Sequence, residues 1–202
     1  MSARLARGLL TAASAYACLY TLPSSHCTPP GYEKLDFSRH NLSHHLLHTS
    51  LSGPEKLEHY SLSLSRDKKE LLGEFRLGGK ACGHPAYIHG GAIATVFDDA
   101  MGMLFLSSGL GTGFTANLNV NYRKPIPAGT TLTIACSLER VEIGEKSGAK
   151  KVYLVARMVG GGETGGTPPV VYADATSLFV VKSGSGMWRE GLVARTRRLL
   201  GF

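Results

Sequence analysis

The segment 91–107 is apolar almost all round, and it constrains the fold more than any other part of the chain. A helix that is apolar on every face has to be covered by other elements. Four segments rich in β-branched and apolar residues follow in quick succession, at 114–122, 131–143, 150–159 and 170–181. The links between them are short or rich in Gly and Pro, and none fits a parallel crossover. The sequence therefore predicts an antiparallel sheet around one long helix.

Two further strands are predicted before this helix, at 58–66 and 71–77, from alternating polar and apolar residues. The expected fold class is α+β, with about six antiparallel strands wrapped around one central helix. This arrangement is the hot-dog fold. Five apolar positions recur at helical spacing and should face the sheet: Ile93, Phe97, Ala100, Met101 and Leu104.

The chain of 202 residues is long enough for one domain with a hydrophobic core and two tails. We assign 1–35 to a targeting or disordered leader, 36–182 to the hot-dog domain and 183–202 to a basic tail. Most of the net charge of +7 lies in the tails, because 1–30 contribute +2 and 189–202 contribute +3. A nucleic-acid-binding domain carries its charge on the folded surface, so we expect no nucleic-acid partner.

The first 30 residues contain Arg4, Arg7 and no acid, which favours a mitochondrial presequence. A secretory signal and an untargeted leader, with a cytoplasmic protein, are the alternatives. The apolar run 9–22 is shorter than the about 20 residues that cross a bilayer. Membrane contact is therefore expected only through the tails.

The patterns for metal binding are weak. His44 and His48 lie one helical turn apart, but no carboxylate or cysteine has matching spacing, so a polar surface helix is favoured. The cysteines are scattered without zinc spacing and are predicted to be free thiols, at Cys18, Cys27, Cys82 and Cys136. Of these, Cys136 is expected in the core. We predict no metal and no cofactor.

The long helix carries two features that suggest hydrolytic chemistry. Its start, His89-Gly90-Gly91, offers free backbone N–H groups that attract a developing negative charge. The acids Asp98 and Asp99 are costly to bury in such an apolar helix without a partner or a function. Gly90 and Asp98 lie eight residues apart, which is about 12 Å along a helix, so one carbonyl cannot reach both. Two antiparallel helices of a two-fold dimer would bring Gly90 of one chain near Asp98 of the other.

Three sequence blocks resemble the hot-dog acyl-CoA thioesterases of the PaaI type, most closely their mitochondrial branch. They are HGGAIAT at 89–95 with an Asp nine residues after the His, TANLNVNYRKPIP at 115–127 and YADATSLFVV at 172–181. The resemblance covers about 55–182. It implies a homodimer or dimer of dimers that hydrolyses acyl-CoA thioesters to a free acid and CoA.

The resemblance also implies roles for individual residues. Asp98 matches the catalytic carboxylate, as general base on water or as direct nucleophile, whereas Asp99 stands where the family usually has another residue. The Gly90 N–H matches the oxyanion donor. His89 is expected to orient this turn or to bond near the thioester, and Thr115 to position the water.

Substrate contacts are predicted around these residues. Gly91 shares the helix start with Gly90, and His84 stands near the place where relatives often have an Asn that binds the carbonyl. Asn117 is expected to contact the ligand, on a strand face that Thr115 shares with Asn119 and Asn121. Arg123 and Lys124 either meet the CoA phosphates or form an ordinary solvated pair at the end of the strand.

Two alternative functions remain open from the sequence. In the first, the protein is a thioesterase whose acyl or polyketide substrate is bound to a carrier protein instead of CoA. In the second, the protein is a hot-dog scaffold that binds acyl-CoA without turnover. A hot-dog dehydratase is disfavoured, because its chemistry needs a histidine placed to abstract an α-proton.

Overall fold

The computed structural model describes residues 28–37, 45–145, 148–161 and 169–181. One long helix, α1, spans Gly90–Ser107. A π-helical turn covers Leu46–Ser50 and a 3₁₀ turn covers Gly79–Ala81. The described ranges also contain nine strands: β1 Tyr32–Lys34, β2 Leu57–Ser65, β3 Glu70–Leu77, β4 Cys82–His84, β5 Tyr87–Ile88, β6 Phe114–Tyr122, β7 Thr131–Ile143, β8 Lys150–Gly160 and β9 Val170–Val181.

Seven of the strands form one sheet in the order β1-β2-β3-β7-β8-β9-β6. Each neighbouring pair in it is antiparallel, so the predicted sheet is confirmed. Six of its strands are the predicted ones. The seventh, β1, begins within the stretch 1–35 that the sequence assigned to a leader, and it pairs with β2. The short β4 and β5 form a separate hairpin.

The helix α1 packs against the sheet as its apolar spacing predicts. Ile93, Phe97, Ala100, Met101 and Leu104 are all at most 4% exposed. They share one core cluster with side chains of β2, β3 and β7 to β9. Near the end of α1, Phe105 stacks on Phe179 of β9, with ring centroids 4.8 Å apart. The helix is therefore held in a fixed rotation, which decides where its two acids point.

A β-bulge near the start of β6 corrects one prediction. Thr115 pairs with Phe179, but Asn117 pairs with Leu178, so an extra residue interrupts the alternation. Residues directly opposite each other in a ladder share a face, and Phe179 is buried in the core. Thr115 therefore lies on the helix side with Leu118, whereas Asn117 lies on the outer face. The prediction that Thr115 shares a face with Asn117 is wrong, because alternation cannot anticipate a bulge.

Some predictions concern residues outside the described part. These are the leader up to residue 27, the basic tail 183–202, and the residues Cys18, Cys27 and His44. Cys136 is buried as predicted, and both it and Cys82 are free thiols. Within the described ranges, no helix has the length and apolar character needed to cross a membrane.

Candidate active site

The start of α1 is capped by the residue that precedes it. His89 has an extended backbone, and its Nδ1 accepts a hydrogen bond of 2.8 Å from Gly91 N–H. An accepting Nδ1 places the proton of a neutral imidazole on Nε2. His89 is thus a cap whose remaining polar atom is a donor, which agrees with an orienting role and not with that of a base.

This cap leaves one backbone donor at the helix start. Gly91 N–H is already taken, so Gly91 has no backbone donor left for a substrate. Ala92 and Ile93 donate to the His89 carbonyl. In the described part of the chain, no hydrogen bond uses the N–H of Gly90. Together with the partial positive charge of a helix N-terminus, this N–H is suited to stabilise an oxyanion.

The 3₁₀ turn and strand β4 fix the position of His89. The backbone N–H of His89 donates to the Ala81 carbonyl at 2.8 Å. The His89 ring also lies against Gly83, where an added Cβ would stand 2.7 Å from His89 Cδ2. Glycine at 83 is therefore required by the close approach of the imidazole. The neighbouring His84 is exposed in β4.

Tyr122, at the end of β6, is a contact that sequence reasoning missed. Its hydroxyl donates a 2.9 Å hydrogen bond to the Gly90 carbonyl, and its ring lies next to Gly90. The signal was available, because Tyr122 alternates with Leu118 and Val120 on the face toward the helix. The contact ties β6 to the first residue of α1.

Asp98 contacts the other end of β6. Thr115 Oγ1 donates a 2.9 Å hydrogen bond to Asp98 Oδ1. The bulge described above turns Thr115 toward the helix and makes this contact possible. Asp98 Oδ2 takes no hydrogen bond from any described residue, and the side chain is half-buried. One carboxylate oxygen is thus anchored while the other is open to a water molecule.

Asp99 is held on both oxygens. Tyr60 of β2 donates its hydroxyl proton to Asp99 Oδ2 at 2.5 Å, and His45 Nε2 lies 3.1 Å from Asp99 Oδ1. The Asp99 side chain is only 8% exposed. The hydrogen bond to Asp99 raises the pKa of His45. Burial raises the pKa of Tyr60, so its hydroxyl stays protonated and donates to Asp99. The choice of Asp98 as the reactive acid agrees with this difference.

The remaining predicted contacts lie apart from these groups. Arg123 is ion-paired with Asp174, whose other oxygen accepts from Arg157 Nε at 2.8 Å. Lys124 is exposed beside this pair. Among the described residues, no hydrogen bond or ion pair joins the side chains of His84, Asn117 or Lys124 to the helix start or to Asp98.

Within one chain the site is therefore two separate halves. One half is the capped helix start, with His89, Gly90 and Tyr122. The other is Asp98 with Thr115. The eight residues between Gly90 and Asp98 correspond to about 12 Å of helix, so the halves cannot hold a single carbonyl.

Comparisons with known proteins identify relatives of this part of the chain. Residues 86–142, which include both halves, match the family model of the thioesterase superfamily. Over 121 residues the chain is 30% identical to acyl-coenzyme A thioesterase THEM4 of Mus musculus, covering 60% of this chain and 47% of the relative. The THEM4 protein of Bos taurus is 31% identical over 121 residues, and this match covers 60% of this chain and 45% of the relative. The match thus spans about half the length of these relatives.

Solved structures match the fold. A phenylacetic acid degradation-related protein from Ralstonia eutropha superposes with a TM-score of 0.50 at 19% identity, covering 68% of this chain and 90% of its own. An acyl-CoA hydrolase from Staphylococcus aureus in complex with coenzyme A gives a TM-score of 0.50 at 15% identity, covering 57% and 65%. The prediction of a hot-dog fold is confirmed.

Proposed function

We propose that this chain hydrolyses acyl-CoA thioesters to a free acid and CoA, because residues 86–142 match the family model of the thioesterase superfamily. The names of the THEM4 relatives support this substrate class. The observation that carries the proposal is the asymmetry of Asp98. Thr115 anchors Oδ1, while Oδ2 faces no donor of the described chain.

In the proposed reaction, Gly90 N–H binds the thioester carbonyl oxygen. The negative charge that develops on this oxygen is stabilised by the donor and by the helix dipole. His89 contributes by capping Gly91, which sets the direction of the first turn, and Tyr122 holds the Gly90 carbonyl.

Asp98 acts as the base in this scheme. Its open oxygen accepts a proton from water as the water oxygen attacks the carbonyl carbon. The tetrahedral intermediate collapses with cleavage of the C–S bond, and the CoA thiolate leaves and takes the proton back from Asp98. Direct attack by Asp98 would release the CoA thiolate and form an anhydride instead, which single-turnover hydrolysis in ¹⁸O-water can reveal. A general base always yields an acid with one ¹⁸O in the first turnover, whereas an anhydride that water opens at the Asp98 carboxyl leaves the label in the protein, so label in Asp98 identifies the nucleophilic route.

The two halves require a second chain. The strand β6 forms one edge of the sheet and exposes Phe114 (70%) and Tyr122 (53%). An edge strand with exposed apolar groups is a liability unless a partner covers it. A two-fold contact along this edge would cover these groups and place Gly90 of one chain near Asp98 of its partner. The active unit is then a homodimer.

The proposal is tested by CoA release from thioesters of two to eighteen acyl carbons. Asp98→Asn is expected to reduce kcat by about 10²- to 10⁴-fold, the usual contribution of a positioned general base. Asp99→Asn, compared at equal folded fraction, is the matched control and should retain most of kcat. A wild-type protein that releases no CoA above background, or an Asp98→Asn variant with unchanged turnover, contradicts the proposal. Competition between acyl-CoA and carrier-bound acyl thioesters tests the alternative substrate class.

A further inference from the structure

A cluster of three metal-binding side chains lies behind α1, on the side away from Thr115. His45 precedes the π-helical turn, His48 lies within it, and Asp99 extends from α1. One potential ligand atom from each residue lies within 4.8 Å of the other two. We propose that His45, His48 and Asp99 form a binding site for a divalent zinc-type cation, separate from the thioester site.

The donor set fits this class of ion. Two imidazoles and one carboxylate are ligands that Zn²⁺ uses in proteins, with bonds of about 2.0–2.2 Å. A tetrahedral ion with such bonds places its ligand atoms about 3.3 Å apart. His45 Nε2 and Asp99 Oδ1 already lie 3.1 Å apart. Small side-chain rotations would bring a nitrogen of His48 to bonding distance as the third ligand. The fourth coordination position would be occupied by water.

A buried nitrogen atom without a partner among the described residues supports the site. His48 Nε2 is buried and makes no hydrogen bond to a described residue. Buried polar atoms nearly always have a partner. The His48 ring is also fixed by contacts with Phe37 and Tyr60, with centroids 4.7 and 5.5 Å away. The imidazole is therefore held in place, and no described residue is a partner for its buried nitrogen.

Tyr60 supplies the support that a ligating carboxylate needs. It donates to Asp99 Oδ2 and leaves Oδ1 directed toward His45. Hydrogen bonds from such outer residues orient metal ligands, and their loss commonly weakens metal affinity by about 10- to 100-fold. The bound ion would link the turn at 46–50 to α1, one residue after Asp98.

The test uses the full-length chain, freed of metal with a chelator and titrated with Zn²⁺ by calorimetry at neutral pH. We expect one ion per chain in the wild type. His48→Gln and His45→Gln should each lower the affinity at least tenfold, and the double variant should bind no ion at this site. His59→Gln is the matched control, since His59 lies on β2 beside Glu74 and outside the cluster. Its affinity should equal that of the wild type.

A spectroscopic readout distinguishes this site from cysteine ligation. Co²⁺ bound to histidine and carboxylate should give visible d–d bands without a thiolate charge-transfer band, and His48→Gln should remove these bands. The inference is overturned if the folded wild type takes up no stoichiometric Zn²⁺. It is equally overturned if the double variant binds as the wild type does, or if thiolate bands appear. None of these results depends on thioesterase activity.

Discussion

Asp98 and Asp99 are consecutive residues of α1, yet they contact strands from opposite halves of the sheet. Asp98 accepts from Thr115 on the edge strand β6, whereas Asp99 accepts from Tyr60 on β2. Consecutive helical residues diverge by about 100°, and a sheet that wraps around the helix reaches both directions. Because of these positions on the helix, Asp98 keeps one carboxylate oxygen without a described donor, whereas both oxygens of Asp99 have partners.

The anchoring of Asp98 by Thr115 gives the first prediction. Thr115→Val keeps the shape of the side chain but removes the donor, whereas Thr115→Ser keeps the hydroxyl. A hydrogen bond to a charged group contributes roughly 1.5–3 kcal/mol, so we expect Thr115→Val to lower kcat by about 10- to 100-fold. Steady-state hydrolysis of a saturating acyl-CoA measures this. Equal losses in the Ser and Val variants would refute a role for the hydroxyl.

The close approach of Gly83 to His89 gives the second prediction. Gly83→Ala places a Cβ where only 2.7 Å separates it from the imidazole, so the ring has to leave its capping position. Loss of a helix cap costs about 0.5–2 kcal/mol, and thermal denaturation should show this decrease. The kcat should also fall, because the direction of the Gly90 N–H depends on this turn. Gly79→Ala is the control, since nothing lies within 4 Å of its added Cβ; a similar loss in both variants would contradict the packing argument.

Periodicity and link length were sufficient to predict the helix, its buried face and the antiparallel sheet. These features follow from local residue patterns: Phe97 and Leu104, which were placed on the buried face by their helical spacing, are fully buried. The family resemblance selected Asp98 over Asp99. Alternation failed at Thr115, because a bulge adds one residue without leaving a mark in the sequence.

Contacts between distant parts of the chain could not be read from spacing. In the sequence, His48 has helical spacing only with His44, and no carboxylate lies at a matching position. The carboxylate that faces it belongs to Asp99, and the tyrosine that holds Asp99 is 39 residues away in the sequence. Arg123 likewise has its partner, Asp174, on the neighbouring strand β9, 51 residues further along. The packing of α1 against the π-helical turn brings His48 and Asp99 together.

The third prediction concerns the proposed oxyanion donor, the N–H of Gly90, which a proline removes without breaking the helix. Gly90 is the first residue of α1, a position where proline is favoured because its missing N–H has no helical partner. His89 already has the extended backbone (φ −64°, ψ 133°) that a residue before proline adopts. Gly90→Pro should therefore leave the melting temperature nearly unchanged and lower kcat by about 10²- to 10³-fold. Gly90→Ala retains the N–H and should stay within a few-fold of the wild type; a fully active proline variant would exclude this donor.

The fourth prediction tests whether the two halves belong to different chains. A Gly90→Pro chain keeps Asp98, and an Asp98→Asn chain keeps the Gly90 donor, so each homodimer has two defective sites. Unfolding and refolding an equal mixture forms mixed dimers in which one of the two composite sites is intact. If the chains pair at random across a two-fold axis, the mixture should recover about a quarter of wild-type activity. Refolding each variant alone is the control, and neither variant should then recover activity above that of its own defective homodimer. If the whole site lay within one chain, every subunit of the mixture would be defective. Differently tagged chains show whether the subunits have exchanged. A mixture that has exchanged subunits and is still inactive would exclude a site shared between two chains.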